Sequence, residues 1–133
     1  MAPEGLTTLK SEHSPAQTVA RLEAAVQAKG LTVFARIDHA AGAAAVGLAL
    51  RPTVLVIFGN ARGGTPLMQA RQTAGIDLPL KALVWQDEAG ATWLSYNEPA
   101  WLAARHGVAA QDEAIVRALT GALAALGGTA TLP

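Results

Sequence analysis

The hydrophobic positions of this chain change period several times, and each change marks an element. Leu6 to Glu12 reads as a first strand. Ser14-Pro15 then supplies an N-cap and a first-position proline for a helix to about Lys29. Val19, Leu22 and Val26 recur on its inner face, and Gly30 ends it. From Leu31 to Asp38 the period drops to two. Leu31, Val33, Ala35 and Ile37 share one face, and Thr32, Phe34, Arg36 and Asp38 the other, which predicts a half-buried strand. Ala40 to Leu48 is alanine-rich and predicts a short helix, stopped by Arg51-Pro52 because proline pushes the residue before it out of the α region. Thr53 to Phe58 is apolar almost throughout and predicts a central strand, better covered than an edge one.

The second half begins with a glycine-rich stretch, Gly59-Asn60-Ala61-Arg62-Gly63-Gly64, read as a loop. Thr65-Pro66 follows as a second N-cap and first-position proline, opening a helix to about Thr73. Leu80 to Gln86 and Thr92 to Tyr96 flank Asp87-Glu88-Ala89-Gly90, which predicts an antiparallel hairpin. Glu98-Pro99 opens a short helix carrying Trp101 and Leu102 and stopping at Gly107. A last helix from about Asp112 aligns Ile115, Leu119, Leu123 and Leu126 and ends at Gly127-Gly128, with the residues to Pro133 expected to fray. The order, roughly βαβαβαββαα, predicts an α+β fold: a single sheet of about five strands with helices packed mainly on one face, in one domain over residues 1–133.

Composition narrows the function classes. With 133 residues, 51% hydrophobic and 15% charged, the chain can bury one core without staples. Ten basic residues balance ten acidic ones and nowhere gather into a run, so neither nucleic acid nor an anionic membrane surface is an expected partner. The absence of cysteine excludes disulfides, thiolate chemistry and sulfur-ligated metal sites. The first residues lack the basic and apolar regions of a secretory signal. The longest apolar run, Ala40 to Leu50, is interrupted by Gly42 and Gly47 and too short to span a bilayer, so a soluble, cytoplasmic protein is expected.

The crossover between the second and third strands is long enough for parallel pairing, which would bring their C-terminal ends together. Asp38 and His39 would then lie beside Gly59, Asn60 and Arg62, where open α/β sheets hold ligands. Free N–H groups of the loop and of the Pro66 helix would suit a small anion such as carboxylate or phosphate, with Arg62 adding charge. No Walker A or dinucleotide fingerprint is present, and tight turning between strand and helix is enough to account for the glycines. Asp38-His39 is open to an acid–base reading or to a structural one, with Asp38 as helix N-cap. His106 beside Gly107 reads as a helix C-terminal residue and His13 as a loop residue. No two histidines stand at ligand spacing, so no metal or cofactor is expected. Lys81, alternating with apolar neighbours, is a candidate ligand anchor or general base, and Tyr96-Asn97 offers a hydroxyl and an amide. The tryptophans read as core or interface anchors.

Taken in order, Phe34-Ala35-Arg36-Ile37-Asp38-His39, Phe58-Gly59-Asn60, Gly64-Thr65-Pro66-Leu67-Met68, Asp77-Leu78-Pro79-Leu80-Lys81 and Tyr96-Asn97-Glu98-Pro99 resemble the domain of unknown function 302 family, from about Val19 to the last helix (19–126). The chain departs from the family pattern at Ala61-Arg62, where proline and then lysine are usual. The resemblance implies a compact α+β domain and a homodimer, and carries no settled activity. Its polar positions, Asp38, His39, Asn60, Thr65, Lys81 and Tyr96, coincide with the strand-end candidates. The leading expectation is a binding module for a small anionic ligand at Asp38, His39, Gly59, Asn60, Thr65, Lys81 and Tyr96. Two others stand beside it: an enzyme with an acid–base site around His39 or Lys81, and a dimeric interaction protein.

Overall fold

In the computed structural model, which describes residues 2–133, β1 (Leu6–Ser11) leads to α1 (Pro15–Ala28), β2 (Thr32–Asp38), α2 (His39–Ala45), β3 (Thr53–Gly59) and α3 (Ala61–Ala70). A 3-10 turn (Gln72–Asp77), the hairpin β4 (Leu80–Gln86) and β5 (Thr92–Asn97), then α4 (Pro99–His106) and α5 (Glu113–Thr131) complete the chain. The fold is α+β, one five-stranded sheet in the order β1-β5-β4-β3-β2 with every neighbouring pair antiparallel. Val56, Phe58, Ala82, Val84 and Leu94 form the inner face of the sheet, where α1 and α5 supply Leu22, Val26, Leu119, Leu123 and Leu126. Burying each of the larger of these side chains contributes roughly 1.5–3 kcal/mol before chain entropy is set against it.

Local signals set several boundaries. Ser14 caps α1 with a full capping box: its hydroxyl accepts from Gln17 N, and the Gln17 side chain accepts from Ser14 N. Gly30 and Gly107 sit at positive φ just past their helices, where an L side chain would be strained.

Four expectations are corrected. β2 and β3 pair antiparallel, with Asp38 opposite Val54 and Thr32 opposite Gly59. The connection, residues 39–52, is long enough for either direction, so its length alone does not decide the pairing. In β2 the register shifts between Val33 and Ala35. The bulge turns the strand over, so Val33 meets the core while Ala35 and Ile37 stand opposite Ile57 and Leu55 on the far face. The glycine-rich stretch is the first turn of α3, capped by Asn60, and Pro66 lies inside the helix. Gly127-Gly128 does not end α5, which runs on to Thr131 with Gly127, Ala130 and Thr131 buried. Arg21 donates to the Thr129 and Leu132 carbonyls and holds that end in place.

By length and composition Ala110–Thr131 is apolar enough to cross a membrane. One face of it packs against α1 and the sheet, and about 33% of its most apolar stretch is buried.

Candidate functional site

Antiparallel pairing decides which candidate residues meet. Asp38 and His39 leave β2 opposite Val54, while Gly59 and Asn60 leave β3 five residues further along, about 17 Å away. The two halves of the expected pocket therefore lie at opposite ends of the sheet. The Asp38 side chain accepts from Ala41 N at 2.9 Å and caps α2, and His39 is exposed on the first turn of that helix. Thr65 is exposed in the middle of α3. Lys81 stands opposite Ile57 on the face away from the helices, and Tyr96, opposite Ala82, is buried in the core. Lys81 and Tyr96 point to opposite faces of the sheet, and among the described residues no hydrogen bond joins His39 or Lys81 to Asp38 or Tyr96.

Two donors of the loop expected to hold an anion are committed. Asn60 Oδ1 accepts from Gly63 N at 2.7 Å, and the Asn60 carbonyl accepts from Gly64 N at 3.1 Å. Asn60 thus does the capping that the sequence assigned to Thr65, because its side chain reaches the third helical N–H.

Beside this turn lies a cavity of about 430 Å³. Gly59, Asn60 and the start of α3 form one wall, Leu78, Pro79 and Leu80 another, and Ile115, Ala118 and Leu119 of α5 close it. The Leu78–Pro79 peptide bond in that wall is cis. Within helix α3, Pro66 has no N–H to donate to the Arg62 carbonyl. The lining is overwhelmingly apolar. Its one charged residue, Arg62, is exposed and makes no salt bridge among the described residues. Of the expected site residues, Gly59 and Asn60 line this cavity, and Asp38, His39, Thr65, Lys81 and Tyr96 do not.

A second polar cluster escaped the sequence reading altogether. Asp77 accepts from His106 Nε2 at 2.6 Å and from Arg105 at 2.9 and 3.0 Å, and His106 Nδ1 lies 3.0 Å from the Thr73 hydroxyl. These residues come from the 3-10 turn and α4, 28 to 33 positions apart in sequence, so no local spacing could have revealed them. Among the described residues no three His, Asp or Glu side chains gather as metal ligands.

Residues 7–126 match the family described as Domain of unknown function DUF302. The chain belongs to the DUF302 family. The match begins at β1 and takes in every strand, a wider span than the motif blocks alone cover. A crystal structure of an uncharacterized conserved DUF302 protein from Bacillus stearothermophilus shares the fold at a TM-score of 0.85 and 20% identity, over 96% of this chain and 99% of that one. This DUF302 domain is also 48% identical over 115 residues to a protein of Brucella suis biovar 1 (strain 1330) named fluoride-specific ion channel FluC 1. A Brucella melitensis biotype 1 protein named fluoride-specific ion channel FluC 2 matches to the same extent. The match covers 86% of this chain but 45% and 43% of those proteins, so the chain spans less than half the length of the curated relatives it matches.

Proposed function

We propose that this DUF302 domain is a small-ligand-binding module whose site is the cavity between α3, the cis-proline strand entry and α5. The observation that carries the reading is the cavity itself: its volume lies in the range of small-molecule sites, and its wall combines apolar side chains with few polar groups. The chemistry of the wall alters the expected ligand. An inorganic anion would find the N–H groups of Gly63 and Gly64 occupied, whereas a molecule with an apolar body would fill the space and direct an anionic end toward Arg62. Native mass spectrometry with octanoate and with octanol tests this. Octanoate should bind the parent chain, lose its advantage over octanol in Arg62→Gln, and be excluded by Ala118→Trp, which fills the cavity. Equal octanoate binding to the parent and to Ala118→Trp would end the reading.

The Brucella relatives supply a setting for such a module, attached to a protein named as an ion channel. If the shared region tunes the channel, removing it from the Brucella suis protein alters fluoride efflux from vesicles, and an unchanged efflux rate rules the tuning out.

A second reading concerns assembly as a homodimer. Five of the seven exposed large hydrophobic residues, Phe34, Ile37, Val46, Leu48 and Leu50, fall on the edge strand β2 and the segment after α2. Clustered apolar exposure at an unpaired sheet edge favours association with a second copy. Sedimentation should give a dimer that Phe34→Asp with Leu48→Asp converts to monomer; a monomeric parent at micromolar concentration rejects it.

A further inference from the structure

Lys81 lies on the sheet face that α1 and α5 leave open, at the opposite side of the sheet from the cavity behind α3. It lines a separate groove of about 430 Å³ with Leu6, Leu55, Leu83 and Trp85, and with Ser95 and Asn97. Its Nζ donates to the Asp77 carbonyl at 3.0 Å and to the Pro79 carbonyl at 2.9 Å. Neither contact is with a counter-ion. The Asp77 carboxylate is taken by Arg105 and His106, and among the described residues no carboxylate lies within ion-pair distance of Lys81. Partial burial pushes the pKa of this amine down, against a smaller opposing pull from the charge of Asp77. As a neutral amine it would spend both hydrogens on the two carbonyls, leaving the lone pair as its one uncommitted direction. The other lysines, Lys10 and Lys29, are exposed.

We propose that Lys81 is a reactive amine that captures small carbonyl compounds with apolar bodies as imines in this groove. The Lys81 nitrogen attacks the carbonyl carbon to form a carbinolamine. Loss of the carbonyl oxygen as water, with two hydrogens that come from the amine, leaves the carbon–nitrogen double bond. A protonated imine keeps one N–H, which still has the Asp77 or the Pro79 carbonyl as acceptor. Leu55, Leu83 and Trp85 would hold an aliphatic or aromatic body and exclude a strongly hydrated one. No oxidant, metal or second reactant is needed.

The test treats the full chain with benzaldehyde and cyanoborohydride at neutral pH and maps the reduced adducts by peptide mass spectrometry. Lys81 should be labelled at least about threefold faster than Lys10 or Lys29, an advantage that shrinks as the pH climbs toward the ordinary lysine range. Lys81→Arg should leave only the slow adducts. Leu83→Ser, at a half-buried position that leaves the inner core untouched, should lower Lys81 labelling by benzaldehyde while leaving labelling by the small, charged glyoxylate little changed. Labelling of Lys81 no faster than that of the exposed lysines overturns the proposal. So does an equal preference for Lys81 with glyoxylate, which would show that the groove selects nothing.

Discussion

Asp77 Oδ2 lies 2.6 Å from His106 Nε2 and fastens the 3-10 turn after α3 to the last turn of α4. An ionised carboxylate only accepts, so Nε2 carries a proton toward Asp77, and Nδ1 lies 3.0 Å from the Thr73 hydroxyl, which can serve as donor or acceptor. The His106 side chain is 7% exposed, and removing it leaves both partners without their shared link. His106→Ala should therefore destabilise the fold by about 1–3 kcal/mol in urea denaturation. Arg105→Ala should cost less than 1 kcal/mol or so, because its pair with Asp77 is half exposed and screened by solvent. An Arg105→Ala variant as damaged as His106→Ala would show that charge neutralisation of Asp77, not the imidazole link, holds this corner.

Two of the three glycines of α5, Gly121 and Gly127, should respond in opposite directions to the same substitution. A Cβ at Gly127 would stand 2.9 Å from Leu9 Cδ1 and 3.6 Å from the Tyr96 ring, because the helix runs close over β1 and β5 there. Gly127→Ala is expected to lose about 1–3 kcal/mol through overpacking. At Gly121 nothing lies within 4 Å, and alanine should raise stability by roughly 0.5–1 kcal/mol through helix propensity alone. Thermal unfolding of both variants checks the pair, and a stabilised Gly127→Ala would mean that the Leu9 methyl gives way at little cost.

This contrast also explains what could be read from the sequence. Ser14, Gly30 and Gly107 act on their own few neighbours, so capping and termination were legible at those positions. Gly127 carries the same letter as a helix stop but answers to Leu9, more than a hundred residues away, and a local rule misreads it. Asn60 offered an N-cap side chain five residues before Thr65, and the two glycines that follow it hid a helix start inside what looked like a loop. The length of the connection after β2 allowed either direction for β3, and with the antiparallel pairing went the pocket built on Asp38 and His39. Lys81 was legible as a polar position in an apolar strand, though its carbonyl partners and its groove required the fold.

Asn60 offers a direct measure of the α3 start. Its Oδ1 accepts from Gly63 N at 2.7 Å, in a helix weakened by two glycines and an internal proline. Asn60→Ala should lower stability by about 1 kcal/mol, and Asn60→Asp should retain most of it by supplying the same acceptor with a favourable charge at the helix N-terminus. Thr65→Ala, at an exposed mid-helix position, should fall within about 0.5 kcal/mol of the parent. If Thr65→Ala were the costlier change, the helix would start where the proline first implied.

The β4–β5 turn should make part of the stability acid-sensitive. Asp87 accepts from Trp93 Nε1 at 2.8 Å, from Ala91 N at 2.9 Å and from Ala89 N at 3.0 Å, and these bonds hold its carboxyl below its ordinary value, the Trp93 bond most strongly. A folded-state pKa below the unfolded one means that the folded chain binds protons less readily than the unfolded chain. The stabilisation is complete above the ordinary carboxylate range and declines as the pH falls through that range and on through the folded value. Asp87→Asn keeps an acceptor for the turn but cannot titrate, so its unfolding midpoint should depend less on pH below about 4 than the parent's. Urea midpoints for the two proteins between neutral pH and about pH 3 would decide it. Parallel curves would mean that the Trp93 indole and the turn amides are indifferent to the charge on Asp87.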